Sequence, residues 1–257
     1  FMKLGFIGTG NISSDVITGI CRSNLKFKQI MISPRNKNKA KKLEKKFKKV
    51  KIAKNNQEVV NKSDWIFIGV LPKVANQILP NLIFKQNQTV ISFVATLNLS
   101  KLKKKIKRKV NLVRAIPMPP ISLGLGPIVM CPPNAKVKNF FNKVGTSIEI
   151  KNEKLSNNFW AISGTMAAFY ETLKNLSDWL VKKKTNRKKA QEYITSLYFA
   201  LAGLALENSD KNMNKFVSDS QTPGGLNWQG VNQLRKAGYY KLLQSSLDNL
   251  LKRLNKS

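Results

Sequence analysis

The sequence predicts an α/β protein in two parts: a doubly wound sheet of alternating strands and helices over residues 1–151, followed by an all-helical domain over residues 152–257. Three observations carry this expectation. The chain opens on an apolar run, Lys3 to Ile7, that ends in Gly8-Thr9-Gly10 and passes straight into a segment with helical spacing. Strand-like and helix-like segments then alternate as far as Ile150, which argues a parallel sheet with crossover helices. Beyond Lys151 no further strand-like run occurs, and apolar residues recur at helical spacing only.

Composition bounds the function. A chain of 257 residues buries a large core, as one large domain or two smaller ones. It has no long apolar run of membrane-spanning length and no basic-then-apolar leader, so a soluble, cytoplasmic protein without a membrane partner is expected. Phe1, ahead of Met2, carries no fold information. Cys21 and Cys131 lie far apart without metal-ligand spacing, so reduced thiols and no metal site are expected. The net charge of +33 raises nucleic-acid binding as a possibility, because counterion release rewards such charge. Its distribution argues otherwise. Lysines stud segments such as Lys37 to Lys49, Lys101 to Lys109 and Lys182 to Lys189, and aromatic residues fall inside apolar runs without forming a stacking platform. A lysine excess on solvated faces is the preferred reading, and no nucleic-acid partner is expected. The sequence contains no histidine, which removes the usual general acid/base and the commonest metal ligand.

Taken in order, residues 3–7 read as a buried strand, and residues 11–22 place Ile12, Val16, Ile17 and Ile20 on one helical face. Gly8 and Gly10 allow a tight turn and the close approach of a pyrophosphate to the helix N-terminus, with Ser13 at the third small position. The following strand, Gln29 to Ile32, ends where an NAD-selective site offers a carboxylate to the ribose. There is none between Asp15 and Glu44. Ser33-Pro34-Arg35-Asn36-Lys37 instead supplies a hydroxyl and cations, which suits the 2′-phosphate of NADP. The bland alternative is that Arg35 and Lys37 belong to the general basic excess.

Further segments follow the same alternation: helix Lys39 to Phe47, strand Val50 to Ala53, helix Gln57 to Asn61 and strand Trp65 to Val70. Next come helix Lys73 to Phe84, strand Thr89 to Val94, helix Leu99 to Ile106 and strand Val110 to Arg114. Ligands of such sheets bind at strand carboxyl ends, which singles out Val70-Leu71-Pro72 and Ala95-Thr96. From the residues alone these read equally as ordinary strand ends. A stiff loop from Pro117 to Gly126 precedes a strand from Ile128 to Cys131, a helix ending at Lys143 and a last strand from Ser147 to Ile150.

The helical part carries Phe159, Ile162, Met166, Phe169, Tyr170, Leu173, Leu176 and Leu180, then Ala190, Ile194, Leu197, Leu201 and Leu204. These helices are apolar on more than one face, which suits burial against the helices of a second subunit. Between helical segments lies Gln221-Thr222-Pro223-Gly224-Gly225-Leu226-Asn227-Trp228. It is either a plain helix–helix turn or a helix start whose exposed backbone N–H groups hold a carboxylate.

Together, Gly5-Phe6-Ile7-Gly8-Thr9-Gly10-Asn11-Ile12, Asn56-Gln57-Glu58, Asp64 to Pro72, Val113-Arg114-Ala115-Ile116-Pro117, Ser163-Gly164-Thr165 and Thr222-Pro223-Gly224-Gly225 resemble the pyrroline-5-carboxylate reductase family over nearly the whole chain. The resemblance implies a Rossmann-type NADP-binding domain, an all-helical dimerisation domain intertwined in a homodimer, and an active site where cofactor and helical domains meet. It implies that Gly8, Gly10, Asn11 and Ile12 hold the pyrophosphate, Ser33 and Arg35 the 2′-phosphate, and Asn56 the adenosine ribose. Val70, Leu71, Pro72 and Ala95 are implied to border the nicotinamide. Thr222, Gly224, Gly225, Leu226 and Asn227 are implied to receive the substrate carboxylate and face the imine nitrogen. The implied activity is NADPH-dependent hydride transfer to 1-pyrroline-5-carboxylate, giving L-proline.

The chain departs from the family pattern where Lys-Pro is Leu71-Pro72, where Asn-Thr-Pro is Met118-Pro119-Pro120, and where Leu226-Asn227 follows the paired glycines. The more apolar pocket this implies keeps a reductase of another small imino or oxo acid as one alternative. A basic nucleic-acid-binding or non-catalytic nucleotide-sensing protein is the alternative from a different class.

Overall fold

The computed structural model describes residues 1–256; Ser257, the last residue of the expected helical domain, lies outside the described residues. The chain forms two compact units, Phe1–Ser156 and Asn157–Ser257.

The first unit runs β1 (Met2–Ile7), α1 (Asn11–Arg22), β2 (Phe27–Ile32), α2 (Lys37–Lys46), β3 (Val50–Ile52), α3 (Asn56–Asn61) and β4 (Trp65–Ile68). It continues with α4 (Pro72–Ile78), β5 (Thr89–Ser92), α5 (Leu99–Ile106), β6 (Asn111–Ile116), β7 (Pro127–Cys131), α6 (Ala135–Phe141) and β8 (Thr146–Glu149). The eight strands make one sheet in the order β3-β2-β1-β4-β5-β6-β7-β8. Side chains alternate strictly between its faces: on β4, Phe67 joins one apolar cluster, whereas Ile66 and Ile68 join the other. An aromatic stack anchors the first face, with the rings of Phe6 and Phe67 4.5 Å apart and Phe140 of α6 5.7 Å from Phe67.

Two details differ from the sequence expectation. The sheet is not wholly parallel, because β7 runs antiparallel to β6 while β8 is parallel to β7. The physical reason is the connection: the loop from Pro117 to Gly126 folds as a 3₁₀ turn, Pro119–Leu123, and is shorter than the crossover of about a dozen residues that a parallel return needs. The helix expected from Lys73 to Phe84 ends at Ile78 and passes into a 3₁₀ turn, Leu79–Asn81. Pro80 stops it, having no N–H to donate and a ring that collides with the carbonyl one turn earlier.

That proline-rich loop packs closely on α1. A Cβ at Gly19 would lie 2.2 Å from the Ile121 carbonyl oxygen, so α1 and the loop can meet only through glycine. Gly19→Ala should therefore lower the stability of the first unit by about 1–3 kcal/mol. Thermal unfolding reads this directly, and an unchanged midpoint would contradict the packing.

The second unit is α7 (Ser156–Ser163), α8 (Met166–Lys182), α9 (Arg187–Glu207), α10 (Met213–Asp219), α11 (Leu226–Lys236) and α12 (Tyr239–Asn255). Asn186 caps α9 by accepting from the Lys188 and Lys189 amides, and Arg187 reaches back to Asp178 of α8 at 2.8 Å. Among the described residues, its buried apolar side chains are Ala161, Ala190 and Ile194. Large side chains stand out instead: Tyr170 is 65% exposed, Trp179 59% and Phe199 68%. Such a surface is far more apolar than scattered surface hydrophobics produce.

Candidate functional site

The strand order reverses between β1 and β4, and a cavity of about 900 Å³ opens at their carboxyl ends. The turn after β1 forms its floor. Gly8 has φ +100°, and a Cβ there would lie 2.5 Å from the Gly69 carbonyl oxygen and 2.6 Å from a Val70 methyl carbon. Only glycine fits that position. Gly10 differs: it is the extended N-cap of α1, and a Cβ on it would meet nothing nearer than the Gly69 oxygen at 3.8 Å. Its bare Cα is not needed by internal packing, so the space it leaves suits a phosphate group pressed against backbone. The first helical bond of α1 runs from Ser14 N–H to Gly10 O at 3.0 Å, so the amides of Asn11, Ile12 and Ser13 precede the ladder and can donate to an anion.

Ser13 supports the turn from inside. It is fully buried with its hydroxyl 3.4 Å from the Gly69 carbonyl, and a Cβ on Gly69 would overlap that hydroxyl at 2.1 Å. Ser13 and Gly69 thus form the close helix–strand contact for which two small residues are needed.

The loop after β2 brings cations to the cavity wall: Arg35, Asn36, Lys37 and Asn38 line it, and no acidic side chain does. Lys39 donates to Asn11 Oδ1 at the edge of the same region. Ser33 is 2% exposed and lies beneath the turn. Its hydroxyl accepts the Gly8 N–H at 3.0 Å and sits 2.7 Å from Asn56 Oδ1 and 3.1 Å from the Phe6 carbonyl, either of which can take its proton. Gly8, Ser33 and Asn56 are therefore one connected cluster.

Of the residues expected here, Gly8, Gly10, Asn11, Ile12, Arg35, Val70 and Leu71 line the cavity. Leu71 is 73% exposed, and Pro72 opens α4 behind it. Ala95 lies in the turn after β5, which contributes Phe93 to the lining. Sequence reasoning missed Gly69, Val74 and Phe93. A glycine directly after the apolar run of β4 was the available signal for the first. It also assigned no role to Arg114, although a lone arginine inside Leu112-Val113-Arg114-Ala115-Ile116 is a visible anomaly. Arg114 is 4% exposed and donates to Glu153 and to the Ala95 carbonyl oxygen.

In the second unit, Thr222 to Asn227 forms a built turn. Gly224 has φ +73°, the Gly225 N–H donates to the Thr222 carbonyl at 2.8 Å, and Gly225 is the N-cap of α11. The side-chain amide of Asn227 donates to the Ser220 carbonyl at 2.9 Å, leaving Oδ1 to accept. Leu226 is 87% exposed. The amides of Leu226 and Asn227 stand in the first turn of α11, where no helical acceptor serves them. Burial pushes the Cys21 thiol up to about 11, and burial, followed by Glu153, raises that of Cys131, which disfavours the thiolate of each.

A glycine turn at a topological switch point, a cation-lined rim without carboxylates and a separate helical unit define an NAD(P)-dependent oxidoreductase. Residues 3–96 match the family described as NADP oxidoreductase coenzyme F420-dependent, and residues 153–257 match pyrroline-5-carboxylate reductase dimerisation. The chain is 26% identical over 249 residues to pyrroline-5-carboxylate reductase 3 of Danio rerio, covering 93% of this chain and 85% of that one. The fold is similar to that of a pyrroline-5-carboxylate reductase from Coxiella burnetii, with TM-score 0.87, 19% identity and coverage of 99% and 98%. A Plasmodium falciparum pyrroline carboxylate reductase solved with NADP bound gives TM-score 0.78 at 24% identity, with coverage of 98% and 97%. Over most of its length the chain is similar to pyrroline-5-carboxylate reductases, and its residues 153–257 match that family's dimerisation domain.

Proposed function

We propose that this protein is a pyrroline-5-carboxylate reductase, reducing the cyclic C=N bond of 1-pyrroline-5-carboxylate to give L-proline as the closing step of proline biosynthesis. The observation that carries this reading is the Thr222–Asn227 turn, which offers exposed backbone donors at the start of α11 and no cationic side chain, in a unit matched by the family's dimerisation domain.

The residues of the first unit fit the cofactor. Gly8, Gly10 and the amides of Asn11 and Ile12 would hold the pyrophosphate, Arg35 the 2′-phosphate, and Val70, Leu71, Pro72 and Ala95 would border the nicotinamide. Asn56 would meet the ribose. Ser33 would act on the phosphate end mainly by holding the Gly8 amide and Asn56 in place. NADPH bound there supplies the hydride. Thr222 and the backbone of the Gly224-Gly225 turn would bind the substrate carboxylate, the donors being the amides of Leu226 and Asn227 because that of Gly225 is held by the Thr222 carbonyl, with the Leu226 side chain as the apolar wall. Asn227, whose side-chain amide is held by Ser220, would present Oδ1 as an acceptor to the N–H of a protonated imine. A protonated imine is already electrophilic, so orientation supplies much of the barrier reduction and a histidine-free site suffices.

The exposed apolar side chains of the second unit support a homodimer, with the cytoplasm as the expected location; among the described residues no helix is long and apolar enough to cross a membrane. Sedimentation at micromolar concentration should give a mass of two chains or a multiple of it, and a stable monomer would contradict this reading.

Leu226, 87% exposed beside the Thr222–Asn227 turn, favours a second reading in which a more apolar imine is the substrate. A panel of cyclic imines and oxo acids with NADPH separates the two. Greatest kcat/KM on 1-pyrroline-5-carboxylate is expected; preference for an imine lacking the carboxylate would overturn the assignment.

A further inference from the structure

Arg114 is a charged side chain held almost entirely out of water, and burial of that kind is costly unless its partners are well placed. Two of its partners lie on separate segments. One guanidinium nitrogen donates to Glu153, which follows β8, and another donates to the backbone carbonyl of Ala95, in the turn after β5. Glu153 completes the clamp: its two carboxylate oxygens accept the Leu99 N–H at 2.9 and 3.2 Å, and Leu99 is the first residue of α5. Both ends of the segment from Ala95 to Leu99 are therefore fastened to one ion pair between a buried arginine and a partly exposed glutamate, the first through Arg114 and the second through Glu153. Phe93, two residues before Ala95, lines the large cavity.

We infer that Arg114, through Glu153 and the Ala95 carbonyl, is a positioning residue for the nicotinamide end of the cofactor. The inference rests on the reading of the Ala95 turn as the border of the nicotinamide. The peptide unit joining Ala95 to Thr96 is planar, so turning the Ala95 oxygen toward Arg114 points the Thr96 N–H the opposite way. One bond thus sets the orientation of a backbone donor in the turn. The fork geometry of arginine is required, because a single side chain must reach a carboxylate and a carbonyl at once. Lysine keeps the charge and loses the second contact.

The test compares two ligands that share the adenosine end and differ in the nicotinamide. Affinities of NADPH and of 2′,5′-ADP are measured by calorimetry for the wild-type protein, for Arg114→Lys and for the double variant Arg114→Met with Glu153→Leu. The double variant removes both charges together and so avoids stranding one of them. Circular dichroism establishes that each is folded. The expected result is a loss of about tenfold in NADPH affinity, as one charge-assisted hydrogen bond warrants, with 2′,5′-ADP affinity unchanged. Equal losses for both ligands would show a merely structural role, and unchanged affinity for both would show that the turn does not serve the nicotinamide; either outcome overturns the inference. Neither readout involves the imine, so failure of the substrate assignment in the activity panel remains a separate result.

Discussion

Gly10→Ala is expected to weaken NADPH binding by about 10- to 100-fold while leaving the fold and its unfolding midpoint nearly unchanged. The new methyl group would meet its nearest protein atom, the Gly69 carbonyl oxygen, at 3.8 Å, and Gly10 already has φ −70°, which alanine adopts freely. The altered N-cap costs about 0.5–1 kcal/mol, because glycine is preferred to alanine there, and this moves the midpoint by only a few degrees in a chain of this size. The loss would come from the ligand side, where the methyl group displaces a phosphate from the amides of Asn11 and Ile12. Gly8→Ala provides the contrast. Its φ of +100° and the 2.5 Å approach to Gly69 make the substitution strained before any ligand arrives, so both stability and binding should fall. Equal stability loss in the two variants, or full NADPH affinity in Gly10→Ala, would contradict this division between packing and binding.

Arg35→Ala is expected to reduce NADPH affinity by about 10- to 100-fold, the range that hydrogen bonds to a charged group provide, while NADH affinity changes little. The rim that carries Arg35 holds Asn36, Lys37 and Asn38 but no carboxylate, so nothing there rewards a free ribose hydroxyl or repels its phosphate. Arg35 is exposed, so its contribution should shrink as salt rises. The same titration discriminates the bland reading of Arg35 as one more residue of the basic excess, for which NADPH and NADH affinities would fall together or not at all.

The alternation of apolar runs with helical segments made the doubly wound sheet legible before any coordinates, because a parallel sheet needs buried strands and amphipathic crossovers. The reversal at β7 was not. Strand periodicity is indifferent to direction, and only the shortness of the Pro117–Gly126 connection announces it. Pro80 likewise ends α4 early although the apolar spacing of Leu79, Leu82 and Phe84 continues past it. The turn Gly8-Thr9-Gly10 announced the cleft because glycine records a steric demand in the sequence itself. Ser33 was read as a ligand contact, and its buried bond to the Gly8 amide depends on a strand partner that no local pattern names. Arg114 and Glu153 lie 39 residues apart and meet only after three strands have paired, so their clamp on the Ala95 turn could not be read from spacing. The exposed apolar faces of α8 and α9 were legible as excess hydrophobicity on more than one helix face, which a single helical unit of this size does not bury.

In the proposed reaction, hydride from NADPH reaches the imine carbon of 1-pyrroline-5-carboxylate. It is tested most directly by incubating the purified protein with that imine and NADPH deuterated at the transferring position of the nicotinamide, then analysing the product by mass spectrometry and NMR. The expected product is L-proline carrying a single deuterium at the former imine carbon, formed in step with NADPH oxidation. Absence of labelled proline, with cofactor oxidation supported only by a different imine or by none, would contradict it.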